Sequence, residues 1–271
     1  MATLTLRILG CGSSGGVPRV GSGWGACDPN EPRNRRRRCS ILVERQGEGA
    51  GEGGRTSVLI DTSPDLREQL LDAEVQRLDG VLFTHAHADH THGIDDLRPL
   101  VIRMRSRIPV YADRRTRGLL TARFGYCFET PEGSDYPPIL DMHDLPHEGR
   151  VAVHGPGGAV EAEPLPVEHG NEPALGFRFG RAAYVPDVSL IPPQSLERLY
   201  DLDLLIIDAL RDIPHPTHFS VSDALDLIAQ VRPGRAVLTN LHTDLDYAEL
   251  AGRLPKGAVP AYDGMVLALP A

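Results

Sequence analysis

Thr84-His85-Ala86-His87-Ala88-Asp89-His90 puts three imidazoles and one carboxylate within six residues, directly after the apolar run Gly80-Val81-Leu82-Phe83. Imidazole nitrogen and carboxylate oxygen are the usual ligands of catalytic zinc and similar first-row metals. Alternate side chains of an extended segment share a side, so His85 and His87 point together. Asp89 and His90 can then turn toward a second ion. A chance histidine-rich surface loop would not end an apolar strand in His-x-His-x-Asp-His, so the run reads as a metal motif.

Working outward, residues 3–9 alternate apolar and polar side chains, the period of a half-buried strand. The small-residue loop Gly10-Cys11-Gly12-Ser13-Ser14-Gly15-Gly16 follows. Short β runs recur at 40–44, 57–61, 80–84 and 109–111, and residues 47–54 hold five glycines, a hairpin tip. Pro64 opens a helical stretch over 65–73 with Leu66, Leu70 and Leu71 on one face. Later strands are expected at 161–166, 175–179, 182–185, 204–208, 236–239 and 265–269. The clearest helix is 221–231. Ser220 and Asp223 form a capping box, and Val221, Ala224, Leu225 and Ile228 repeat with helical period. Strands interspersed with helices give an α/β class.

The motif resembles that of the metallo-β-lactamase superfamily, and further ligands occur in the expected order along nearly the whole chain. His169 in Pro166-Val167-Glu168-His169 looks like the third ligand of the first metal, and Asp187 like the carboxylate bridging both. His242 is similar to the last ligand of the second metal. Many relatives place that ligand directly after the Thr, where this chain has Asn240. The resemblance implies one domain, 1–271, folded as a four-layer αβ/βα sandwich. It implies two divalent ions held by His85, His87, Asp89, His90, His169, Asp187 and His242. Zinc, manganese and nickel all suit these donors. Two such ions acidify water toward a pKa of ~7 and polarise the scissile group, and Asp89 would also orient the nucleophile. The oxygen-reducing diiron branch carries Glu where this chain has His87. His92 lies beyond the motif and is given no metal. His143, His147 and His154 read as plain surface residues.

Three features point to phosphodiesters. The loop from Gly10 to Pro18 resembles the opening of the phosphodiesterase branch that includes phosphoribosyl cyclic phosphodiesterase. Arg35-Arg36-Arg37-Arg38 resembles the arginine run before a strand in that branch, and arginine forks suit phosphate oxygens. His215-Pro216-Thr217-His218 precedes the capped helix, whose free N–H groups favour an anion. A His at the position of His218 serves that branch as general acid or base. Ser13, Arg38 and His215 are the expected substrate contacts. The branch's structural zinc uses a Cys-x-Cys-x-x-Cys cluster. Here those positions are Ser22, Trp24 and Cys27, so no structural zinc is expected.

The expected activity is hydrolysis of a small cyclic or nucleotide-like phosphodiester, such as a phosphoribosyl 1,2-cyclic phosphate. Rival readings are a transfer-RNA 3′-processing nuclease, a thioester or lactone hydrolase, and a carrier like the PQQ-biosynthesis relative. The net charge of −9 disfavours gripping an extended nucleic acid, and no long basic insertion follows residue 90. The thioester reading would not need His218 or the arginines. The chain's 271 residues, 41% hydrophobic and 24% charged, suffice for a core without disulfide staples. No run approaches the ~18 apolar residues of a membrane span. Ile8-Leu9-Gly10-Cys11 faintly resembles a lipoprotein cleavage site, but Arg7 interrupts a very short apolar stretch. Cys11, Cys27, Cys39 and Cys127 lack paired spacing, which fits a reducing compartment, and the cytoplasm is expected. A homodimer is compatible with these expectations.

Overall fold

Leu205-Ile206-Ile207 is buried on both faces, as a central parallel strand requires. In the computed structural model, which describes residues 2–47, 54–146 and 149–271, that run lies in an interior strand of a seven-stranded sheet. Residues 48–53 of the glycine-rich stretch, and His147, lie outside the described residues.

The strands are numbered in chain order. β1 (Thr3–Gly10), β2 (Ser40–Gln46), β3 (Arg55–Ile60), β4 (Gly80–Leu82), β5 (Ile108–Ala112) and β6 (Leu140–Asp144) belong to one sheet. β7 (Val151–Val153), β8 (Val160–His169), β9 (Glu172–Phe179), β10 (Ala182–Val185), β11 (Leu204–Asp208), β12 (Arg235–Thr239) and β13 (Ala258–Pro260) belong to a second, and β14 (Val266–Pro270) returns to the first. The orders are β14-β1-β2-β3-β4-β5-β6 and β13-β12-β11-β10-β9-β8-β7. Both sheets are mixed. β3, β4, β5 and β6 run parallel, while β2 pairs antiparallel with β3 and β14 antiparallel with β1. β10 to β13 run parallel while β8 and β9 pair antiparallel.

The chain forms two compact units. One comprises 1–7, 40–161 and 266–271; the other comprises 8–39 and 162–265. In the second, Leu165, Val185, Leu205, Ile207 and Leu238 pack with Val221, Ala224, Leu227 and Val231 of the helix Val221–Val231. The capping box is present, with Ser220 Oγ accepting from Asp223 N. The buried stripe differs slightly from the sequence reading, because Leu225 and Ile228 sit at its margin. In the first unit the helix Leu66–Asp72 buries Leu66 and Leu70, but Leu71 is 57% exposed. One residue turns a helix by ~100°, which carries Leu71 off the face assigned to it.

The helices Arg98–Met104, Arg114–Phe124 and Tyr247–Arg253 gave no clear periodic signal. Arg114–Phe124 buries only Thr116 and Leu120, and Asp113 caps it by accepting from Thr116 N at 2.8 Å. All four cysteines are free and buried. Among the described residues, no helix is long and apolar enough to cross a membrane.

Candidate metal centre

In the first unit the motif changes conformation halfway. His87 is still extended, at φ −66° and ψ 154°, and Ala88–Thr91 then makes one helical turn. The turn brings His90 back beside His85, with ring centroids 4.4 Å apart, while His87 lies 4.5 Å from His85 on another side. His85 and His90 are buried, His87 is exposed and Asp89 is partly exposed.

Asp61, directly after β3, braces this cluster. Its carboxylate accepts from Thr84 N, Thr84 Oγ1 and His90 Nδ1, each at 2.8 Å. Thr84 Oγ1 spends its proton on Asp61 and so accepts from His85 Nδ1 at 2.9 Å. Both buried imidazoles therefore present Nε2, the arrangement that orients metal-binding histidines. Burial raises the Asp61 carboxyl above its ordinary range, and the His90 and Thr84 bonds oppose that rise. Asp61 adopts φ 64°, a left-handed conformation that Asp tolerates better than most side chains.

The second unit gathers its cluster from the ends of β8 and β10 and from the loop before the helix Val221–Val231. His169 closes β8 and donates from Nδ1 to the Thr217 carbonyl at 2.6 Å. Asp187 lies two residues beyond β10, its Oδ1 3.9 Å from His169 Nε2. His218 donates from Nδ1 to Oδ2 of Asp208, the last residue of β11, at 2.8 Å. The His169 and His218 rings stand 4.5 Å apart, and one donor atom each from His169, Asp187 and His218 lies within 4.8 Å of the others. His169, its Nδ1 held by the Thr217 carbonyl, and the Asp187 carboxylate offer donors that suit a first-row divalent ion, while His218 spends Nδ1 on Asp208.

Asn240 follows β12 at φ 61° and donates from Nδ2 to Asp208 Oδ1 at 3.1 Å and to Asp187 Oδ1 at 3.5 Å. Asp208 also accepts from Val188 N at 3.0 Å, and burial raises its carboxyl above the ordinary range. Asp61 and Asp208 carry no role in the sequence reading, and Asn240 enters it only as the residue standing where many relatives place a ligand. A usable signal existed: a carboxylate ends two apolar runs, Val58-Leu59-Ile60-Asp61 and Leu205-Ile206-Ile207-Asp208.

His242 is not brought into the His169, Asp187 and His218 group. Its Nε2 lies 2.6 Å from Arg19 Nη1 and its Nδ1 3.0 Å from Asp244 Oδ2, so both ring nitrogens are engaged. His215 stands 5.3 Å from His218 between ring centroids and accepts from Thr217 N at 3.3 Å. Burial lowers its basicity, and His218, Arg211 and His242 lower it further.

The arginine run divides by environment. Arg36 is buried and donates to the carbonyls of His242 at 3.2 Å and Leu245 at 2.7 Å. Arg37 pairs with Asp263 at 3.0 Å. Arg38 is half-buried and bridges to Gly12, and Arg35 is exposed. Ser13 is buried, and its Oγ meets no hydrogen-bond partner among the described residues. Cys27 is buried with Sγ 3.3 Å from the Leu245 carbonyl, while Ser22 is exposed and Trp24 half-buried.

Residues 56–240 match the family described as the β-lactamase superfamily domain. The chain is 36% identical to a solved structure described as a new diphosphatase from the PhnP family, with a TM-score of 0.86 over 99% of this chain and 98% of that one. It is 34% identical over 263 residues, 95% of its length, to the octanoyltransferase of Porphyromonas gingivalis, and it spans half (50%) of that curated relative. Zn(2+)-bound PqqB from Methylobacterium extorquens shares the fold at 19% identity, with a TM-score of 0.73 over 97% of this chain and 99% of that one. A family match over more than half the chain, and a 36%-identical structure along nearly all of it, make the chain a member of the β-lactamase superfamily, with the fold and the imidazole–carboxylate clusters of a metal-dependent hydrolase.

Proposed function

We propose that the chain hydrolyses a small phosphodiester, cyclic or nucleotide-like, with His218 as general acid. The observation that carries this reading is the His218–Asp208 bond of 2.8 Å, within a chain 36% identical to a PhnP-family structure. We assign His85, His87, Asp89 and His90 in the first unit, and His169 and Asp187 in the second, as metal ligands, on the strength of family membership. When bound, divalent ions there would acidify a water and polarise the phosphoryl oxygens.

The chain's own groups supply the rest. Asp208 holds the His218 proton on Nδ1 and directs Nε2 away from the brace. Protonated, that Nε2 can pass a proton to an alkoxide leaving group. Asn240 fixes Asp208 from the other side, so the dyad keeps one orientation. Asp61 and the Thr217 carbonyl hold His90 and His169 for metal. Asp89 serves as ligand and orients the nucleophile. Arg38, Ser13 and His215 are the assigned substrate contacts.

The description of the 36%-identical structure as a diphosphatase favours a second reading, cleavage of a phosphoanhydride. One variant separates the two. His218→Ala should keep its metal content and lose ~10²–10⁴-fold in rate on an alkyl phosphodiester. The loss should shrink on a bis-aryl phosphate, whose leaving group needs little protonation. Equal losses on both would make His218 a binding residue. No loss on any phosphodiester would leave the anhydride reading in front.

A further inference from the structure

β4 loses its strand neighbours just before the metal motif begins. Its last pairings set Leu82 against Ile60 and Tyr111, and Phe83 N donates to the Tyr111 carbonyl at 3.0 Å. The chain then leaves the sheet, and His87 is still extended. Asp61 holds Thr84 at the near end of this stretch. At the far end the His87 carbonyl accepts from His90 N at 3.1 Å and from Thr91 Oγ1 at 2.8 Å, inside the helical turn. Between these ties lies buried Ala86, whose carbonyl has left the ladder and needs another donor.

The helix Arg114–Phe124 supplies that donor. It buries only Thr116 and Leu120, so its own packing gives little reason for it. Asp113 caps it just past β5, and Arg117 Nη1 donates to Asp144 Oδ1 at the end of β6. From there the helix carries its last two residues to the motif. Arg123 Nη1 donates to the Ala86 carbonyl, a charge-assisted bond. Phe124 stands edge-on to the His92 ring, with centroids 5.5 Å apart. His92 closes the turn Ala88–Thr91, its N donating to Ala88 O at 3.0 Å. One helix end thus touches the motif on both sides of the turn, at Ala86 between His85 and His87, and at His92 just beyond His90.

We propose that Arg123 is a positioning residue for the metal motif. By holding the Ala86 carbonyl, with Phe124 against His92, it fixes how His85 and His87 stand relative to His90. It acts through the backbone and touches neither metal nor substrate. This inference deepens the proposed function and rests on the assignment of His85, His87 and His90 as ligands.

Cobalt(II), titrated into protein stripped of metal and followed by absorption, tests it. Arg123→Ala should bind cobalt ~10-fold more weakly, as loss of a group that orients ligands does. Removing a positive charge beside a cation site would by itself tighten binding, so a loss reports the missing bond. Arg123→Met keeps the length without the donor and should match Arg123→Ala, while Arg123→Lys keeps a donor and should recover most of the loss. Arg117→Ala breaks only a surface pair at the far end of the helix and should leave cobalt affinity unchanged. Equal affinity in Arg123→Ala and the unaltered chain overturns the proposal. An equal loss in Arg117→Ala also overturns it, because the helix and not the bond would then be responsible. At saturating metal, Arg123→Ala should cleave a bis-aryl phosphate with unchanged KM. A raised KM with unchanged cobalt affinity would make Arg123 a substrate contact and overturn the proposal. No cobalt uptake by the unaltered chain would remove the ligand assignment and the role of Arg123 together, whereas uptake insensitive to Arg123 removes that role alone.

Discussion

The two clusters meet similar chemical demands by different routes. In the first unit, His85, His87, Asp89 and His90 sit within six residues, and one carboxylate, Asp61, braces both buried imidazoles. In the second, His169, Asp187 and His218 come from separate segments, braced by the Thr217 carbonyl, Asp208 and Asn240. Yet each unit puts an acid or amide in left-handed backbone just past a parallel strand: Asp61 at φ 64° and Asn240 at φ 61°. That conformation turns a short polar side chain back toward the strand ends, and Asn and Asp tolerate it best. A local motif thus needs one brace, while a dispersed cluster needs several.

The largest effect should come from the dispersed cluster. Asp187→Ala is expected to abolish activity and lower metal content by elemental analysis. Retention of two metals per chain would remove Asp187 from the ligands.

The braces separate the clusters next. Asp61→Asn should weaken metal binding ~10–100-fold while excess metal restores the rate, because Asp61 orients ligands. Asp208→Asn should leave metal affinity intact and cut the rate ~10²–10⁴-fold even at saturating metal, because Asp208 holds a proton donor. Metal titrations of both variants decide this, and swapped outcomes would reverse the two assignments.

Stability effects are smaller. Gly93 lies just beyond the first cluster, where a Cβ would meet Ser63 O at 2.0 Å and Leu66 Cβ at 2.8 Å. Gly93→Ala should cost ~1–3 kcal/mol by denaturant unfolding, as overpacking does. In the second unit, Ser220→Ala removes the cap of Val221–Val231 and should cost ~1 kcal/mol. A smaller loss from Gly93→Ala than from Ser220→Ala would mean that the backbone around the first cluster yields more readily than its packing suggests.

The difference between the clusters also explains what could be read in advance. His-x-His-x-Asp-His is legible because its donors are neighbours in the chain, and an extended-to-helical change over His87–Ala88 suffices to gather them. The strands at 182–185 and 204–208 were legible because continuous burial leaves a continuous apolar run. The helix Arg114–Phe124 was not, since burial of only Thr116 and Leu120 leaves almost no periodic signal.

By itself, then, the sequence determined the α/β class, the local half of the candidate metal donors, and the family through its motif order. Tertiary structure decided what each remaining polar side chain faces. The order of residues along the chain marks His242 as a candidate ligand, and folding sets Arg19 and Asp244 beside its ring, 223 residues before it and two after it. Four adjacent arginines look alike in sequence, yet Arg36 is buried against carbonyls and Arg37 pairs with Asp263. The physical reason is range. Side-chain periodicity and ligand spacing act over a few residues, whereas a hydrogen bond or ion pair depends on which distant group folding brings within ~3 Å.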